Sequence, residues 1–234
     1  YVKPIVRAKT VNAGDSNVIL GVKKFNGSEN DLRWAKDGTL ENKWDGLKKI
    51  IFDTITVADA GIYECFEYDR WEERKHAFMQ LIVRECPHNK WSPPHCNMSC
   101  DVCYNGGVCD TYIGTCICPS GFDGSNCEIP TGGNTFGRDG GTQCTTGNNE
   151  GCEGKLICPP APQGCACHAG WKGFRCKWKC KNGKYGADCL QVCHCDNCDR
   201  FIGCDVNATC RHGYSGPRCL GTSFQRPLTF FCHA

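Results

Sequence analysis

The sequence predicts an all-β, small disulfide-rich molecule: one β-sandwich followed by a linear row of three cystine-stapled modules. Twenty-two of its 24 cysteines lie between Cys86 and Cys219. Within that stretch one closing phrase recurs, as Cys118-Pro-Ser-Gly121-Phe122-Asp-Gly124-Ser-Asn-Cys127, Cys167-His-Ala-Gly170-Trp171-Lys-Gly173-Phe-Arg-Cys176 and Cys210-Arg-His-Gly213-Tyr214-Ser-Gly216-Pro-Arg-Cys219. The part before Cys86 holds a single cysteine, Cys65, and most of the strand-like patterning.

In that first part, segments rich in β-branched and aromatic residues recur between polar turns at 17–22, 32–34, 47–52, 62–68 and 77–83. The spacing favours a sandwich. Asp59-Ala-Gly-Ile-Tyr63-Glu-Cys65 resembles the immunoglobulin turn into strand F, with Tyr63 as the tyrosine corner and Asp59 capping the turn. In such domains the strand F cysteine bridges to strand B, about a dozen residues before a core tryptophan. Counting back from Trp34 reaches Val22, so the bridge is missing and Cys65 is expected to pack as a small apolar thiol. An immunoglobulin-like domain is expected over 1–85.

The recurrent closing phrase marks epidermal-growth-factor-like (EGF-like), laminin-like modules, placed at 86–128, 129–177 and 178–220 with a tail at 221–234. Its glycines supply positive φ where a Cβ would resist, and its aromatic is expected to pack at the junction with the next module. The first module holds cysteines 86, 96, 100, 103, 109, 116, 118 and 127, and the third 180, 189, 193, 195, 198, 204, 210 and 219. The middle module has only 144, 152, 158, 165, 167 and 176. Tyr185-Gly186-Ala-Asp-Cys189 in the third module corresponds to Phe136-Gly137-Arg-Asp-Gly140 in the middle one. Thr131 and Gly140 therefore stand where two cysteines are expected, and their joint absence argues that those positions pair with each other, since losing one alone would strand a thiol. Eight cysteines otherwise allow 105 pairings. Cys232 is left over and is read as half of a bridge cut by the chain's end, in preference to an intermolecular bridge.

Cysteine makes up about a tenth of the chain, the level of a disulfide scaffold. Modules of about forty residues bury too little surface to offset chain entropy, so the bridges must supply the difference. Such bridges persist in oxidising compartments, so the chain is expected to be extracellular or lumenal, and of these extracellular is the reading adopted. The sequons Asn26-Gly-Ser28, Asn97-Met-Ser99 and Asn207-Ala-Thr209 mark Asn26, Asn97 and Asn207 as glycosylation candidates. Lys and Arg number 27 against 25 Asp and Glu, and neither sign forms a block that points to nucleic acid or membrane. No apolar run is long enough for a membrane segment.

Cys100-Asp-Val-Cys103 and Cys195-Asp-Asn-Cys198, near His95 and His194, have zinc-ligand spacing, but bridged cysteines are the preferred reading in an oxidising compartment. The positions just before each module's first cysteine lack the carboxylates that calcium requires. No nucleophile and base set stands out. The chain is expected to be no enzyme and to hold no metal or cofactor.

Phe78-Met-Gln-Leu-Ile-Val-Arg84-Glu-Cys86, Lys90-Trp91, Tyr104-Asn-Gly-Gly-Val-Cys109, Gly164-Cys-Ala-Cys167 and Cys198-Asp-Arg-Phe-Ile-Gly-Cys204 together resemble the ectodomain of the Tie receptor tyrosine kinases, the angiopoietin receptors. The likeness covers roughly residues 10–219; a departure is the longer Cys204 to Cys210 segment. The resemblance implies pairs Cys86 with Cys96, Cys100 with Cys109, Cys103 with Cys116 and Cys118 with Cys127. It implies Cys144 with Cys152, Cys158 with Cys165 and Cys167 with Cys176, then Cys180 with Cys189, Cys193 with Cys198, Cys195 with Cys204 and Cys210 with Cys219. It also implies that the immunoglobulin-like domain contacts a protein ligand, a fibrinogen-like domain of angiopoietin type, with the EGF row as rigid support. The corresponding loop is 37–48, with Lys43, Trp44 and Lys48 as candidate contacts. Trp44 has a second reading as cover for the sandwich edge, and Arg70 and Trp71 after strand F share that ambiguity. No kinase motif is present. Alternative readings are a multi-EGF scavenger or adhesion receptor, which would bind through the repeats, and a secreted matrix or defence protein.

Overall fold

Alternation of apolar side chains builds two sheets from the residues before Cys86. The computed structural model describes residues 2–24, 28–68, 76–137, 140–144 and 151–222. Asn26, Arg70, Trp71, Cys232 and most of the 221–234 tail lie outside them. The strands are β1 (Val2–Pro4), β2 (Ala8–Asn12), β3 (Ser16–Lys24), β4 (Leu32–Lys36), β5 (Thr39–Leu40), β6 (Lys49–Thr54), β7 (Gly61–Glu67) and β8 (Ala77–Arg84). One sheet runs β1-β3-β6, the other β2-β8-β7-β4-β5, with β2 parallel to β8 and every other pairing antiparallel. Period-2 burial turns Val18, Leu20 and Val22 of β3 toward Tyr63 and Cys65 of β7 and Met79 and Leu81 of β8 in one core. Trp34 and Cys65 are cross-strand partners, and Cys65 keeps its thiol, fully buried.

The turn into β7 is locked by its own side chains. Thr56 and Asp59 form a capping box, and the Tyr63 hydroxyl donates to the Asp59 carbonyl at 2.7 Å. Burial, aided by the carboxylates of Asp59, Asp37 and Glu41, raises the Tyr63 pKa above its ordinary value, so the hydroxyl remains a donor. Strands β1, β2 and β5 escape the sequence pattern: the first and last are two or three residues long, and β2 has only Val11 buried.

Beyond Arg84 the structure joins Cys86 to Cys96, Cys100 to Cys109, Cys103 to Cys116 and Cys118 to Cys127. It joins Cys144 to Cys152, Cys158 to Cys165 and Cys167 to Cys176. It joins Cys180 to Cys189, Cys193 to Cys198, Cys195 to Cys204 and Cys210 to Cys219. Two-residue hairpins carry these staples, and the closing glycines do take positive φ, for example +95° at Gly121 and +84° at Gly170. Thr131 and Gly140 are neighbours: a Cβ on Gly140 would lie 3.2 Å from the Thr131 Cβ.

The EGF-like modules follow the sandwich in the expected order and also touch one another through long-range contacts. Gln163 donates to the carbonyls of Gly106 and Ile117, and the Tyr185 hydroxyl donates to Asn105 across 80 residues of sequence. Phe122 pairs with Pro130, shares a cluster with Ala169 of the adjacent module, and also packs edge-on against Tyr185 of the module after at 6.2 Å. Trp171, fully buried, takes the Arg200 guanidinium over its ring at 4.4 Å. Tyr214 stacks on His194 inside its own module. Phe122 and Tyr185 have too little core within their own modules and gain contact by packing on each other.

The sandwich joins the same cluster. Arg7 reaches the carbonyls of Gly173 and Phe174 and lies 3.7 Å from Asp188, while Thr10 donates to the Pro162 carbonyl. Arg84, 3% exposed, donates to Cys109, Pro87 and Lys90 carbonyls and to the Asn12 side chain. Desolvation lowers its pKa from the ordinary value, with Asp110 opposing.

Candidate recognition surface

The loop from β4 to β6 is built outward from Trp34, whose indole Nε1 donates to the Leu47 carbonyl at 2.9 Å. Asp37 (φ 50°) and Gly38 (φ 82°) turn β4 into β5, and the Asp37 carboxylate accepts from the Ile62 amide. That hydrogen bond, helped by Lys36, holds the Asp37 pKa below its ordinary value. A 3₁₀ turn at Asn42–Trp44 then sends the Trp44 ring inward, 5.6 Å from Tyr63 and 6.4 Å from Phe52. Trp44 is half-buried, so its geometry is that of an edge cover. The Lys43 ammonium lies 4.5 Å from the outer face of Trp44 and 3.2 Å from Glu41. Lys48 pairs with Glu29.

What the loop presents outward is apolar as well as basic. Leu40 is 61% and Leu47 44% exposed, beside the exposed Lys43. Sequence reasoning singled out neither leucine: Leu40 falls in the two-residue β5, too short to show a period, and Leu47 was counted in the strand-like segment 47–52. Asn97 and Asn207 are exposed and sterically open to a glycan, while Asn26 lies outside the described residues.

Metal chemistry finds no donors at the cysteine cluster. The sulfurs of Cys193, Cys195 and Cys204 lie close together, but all three are in disulfides and offer no thiolate. The same holds for Cys100, Cys103 and Cys198.

No protein-family model matches the chain. The Angiopoietin-1 receptor of Danio rerio is 37% identical over 212 residues, covering 87% of this chain and 18% of that protein. This chain is a relative of the Tie receptor ectodomains. Stabilin-2 of Mus musculus is 32% identical over 131 residues, 53% of this chain and 5% of that protein. EGF-like and EMI domain-containing protein 1 of Mus musculus is 30% identical over 141 residues, 53% of this chain and 23% of that protein. The chain thus spans less than a quarter of the length of each. Among solved structures, the four N-terminal immunoglobulin domains of Dscam1 isoform 6.9 align over 35% of this chain and 20% of that one, at 19% identity and a TM-score of 0.27, and carry no weight here. Similar to the Angiopoietin-1 receptor and with eleven disulfides among the described residues, the chain is extracellular.

Proposed function

We propose that this chain is the non-catalytic, ligand-binding part of a Tie-like cell-surface receptor. Its domains are the sandwich at 1–85, EGF-like modules at 86–128, 129–177 and 178–220, and a tail at 221–234. The sandwich contacts a protein ligand through loop 37–48, and the ligand is a fibrinogen-like domain of angiopoietin type. Similarity to the Angiopoietin-1 receptor along 87% of the chain supports this reading most. Lys43 and Lys48 contact the ligand directly, with Leu40 and Leu47 as its apolar anchors. Trp44, sunk against Tyr63 and Phe52, shapes the loop from beneath.

The experiment immobilises the whole chain and measures binding of a fibrinogen-like domain from the same organism. Leu40→Ser with Lys43→Glu should weaken binding by about 2 kcal/mol, the scale of an interface hot spot, without lowering the melting temperature. Unchanged binding in that variant would move the contact elsewhere and favour the scavenger-type reading, in which the EGF-like repeats carry the ligand.

A further inference from the structure

Residues 172–184 carry Lys172, Arg175, Lys177, Lys179, Lys181 and Lys184 with no Asp or Glu among them, in a chain whose formal net charge is only +2. Cysteines and aromatics interrupt the series, which hides it from a search for charge blocks. Folding brings it together. Trp171–Lys172 pairs antiparallel with Trp178–Lys179, and the hairpin is stapled on either side by the Cys167–Cys176 and Cys180–Cys189 bridges. Lys172 is half-buried, and the other five cations are exposed.

Two aromatic rings stand among these charges. Trp178 is 71% and Phe174 58% exposed. Lys3, on β1 of the sandwich, extends the patch by placing its ammonium 5.7 Å from the Phe174 ring centroid. On the flanks, Asp188 faces Arg7 and the exposed Glu153 adjoins Gly154, which abuts Lys177. Like charges held on a rigid frame repel one another, and a polyanion relieves that repulsion while releasing its counterions. An exposed indole adds a flat apolar face that can stack on a pyranose ring.

We infer that this hairpin is a binding site for a sulfated glycosaminoglycan, with sulfates on the cations and a sugar ring on Trp178. Three features select that ligand: an extracellular chain, a series of exposed cations on a stapled hairpin, and aromatic faces among them. Nucleic acid and the anionic cytoplasmic leaflet are on the wrong side of the membrane.

The test passes the whole chain over immobilised heparin, fully desulfated heparin and phosphatidylserine vesicles at physiological salt. Binding to heparin alone is expected. Arg175→Gln, Lys177→Gln, Lys181→Gln and Lys184→Gln together should lower heparin affinity by about tenfold or more, because each neutralised contact removes counterion release. Lys9→Gln, Lys23→Gln, Lys49→Gln and Arg211→Gln make the same change in net charge elsewhere and should leave it nearly unchanged. Trp178→Ala should weaken binding and leave its salt dependence intact. Single Lys177→Gln and Lys181→Gln variants repeat the measurement if the fourfold variant misfolds. Equal losses in patch and control variants, binding to desulfated heparin, preference for vesicles, or no binding would overturn the inference. Fibrinogen-domain binding is read separately and should not change in the patch variants.

Discussion

Asp188 holds a left-handed backbone (φ 49°) and accepts from the Cys167 amide at 3.2 Å while facing Arg7. Burial raises its carboxyl pKa, outweighing the amide and Arg7. With the folded pKa above the unfolded one, its contribution to stability is complete below the ordinary value of 3.8 and is lost as pH climbs through the raised value. Asp188→Asn removes the charge, keeps an acceptor and suits a left-handed conformation. Its melting temperature should therefore exceed the parent's at pH 7, with the gap closing toward pH 4; a lower value at pH 7 would show that the Arg7 pair dominates. Tyr63→Phe deletes the bond to the Asp59 carbonyl and should cost about 1 to 2 kcal/mol in urea denaturation. The two residues differ in how readable they were. Tyr63 stood in a local phrase with its partner four residues away, whereas Asp188 and Arg7 are separated by most of the chain, and nothing in either neighbourhood announces the other.

Hairpins and staples obey local rules. Spacing placed β3, β4, β6, β7 and β8, because each buries alternate residues in one core, and failed for β1 and β5, which are too short to show a period. The adjacency of Thr131 and Gly140 is consistent with the count of missing cysteines. Gly140 has φ +63°, and Cys189, at the equivalent place in the third module, has φ +57°. Thr131→Cys with Gly140→Cys should therefore close a twelfth bridge. Peptide mapping should find it without displacing Cys144 from Cys152, and thermal stability should rise. In the opposite direction, replacing Cys103 and Cys116 by Ser opens a bridge of sequence separation 13 and should cost about 3 kcal/mol. Loop 37–48 was legible as a position but not as a surface. Trp44 attracts notice by its type, yet the half-buried ring supports the loop, and the outward leucines became visible only once the strands were in place.

Across the whole molecule, polar contacts of long sequence separation tie the sandwich and the EGF-like modules to one another. Arg84 binds the sandwich to the first module through a planar fork that a lysine cannot imitate. Arg84→Lys should leave two or more buried acceptors unpaired, cost about 3 kcal/mol and speed cleavage by added protease near Pro87; parent-like resistance would count against its role. Arg7→Ala should enlarge the radius of gyration in small-angle scattering, since three of its partners lie in residues 173–188. The bond from Tyr185 to Asn105 also sets an order of assembly during synthesis. As the chain enters the secretory pathway, the first module can form its bridges while Asn105 still lacks its partner, because 80 further residues must arrive. The last module thus closes the structure, and a ribosome-arrested chain ending before residue 180 should expose the Phe122 ring to chaperones that the finished protein no longer engages.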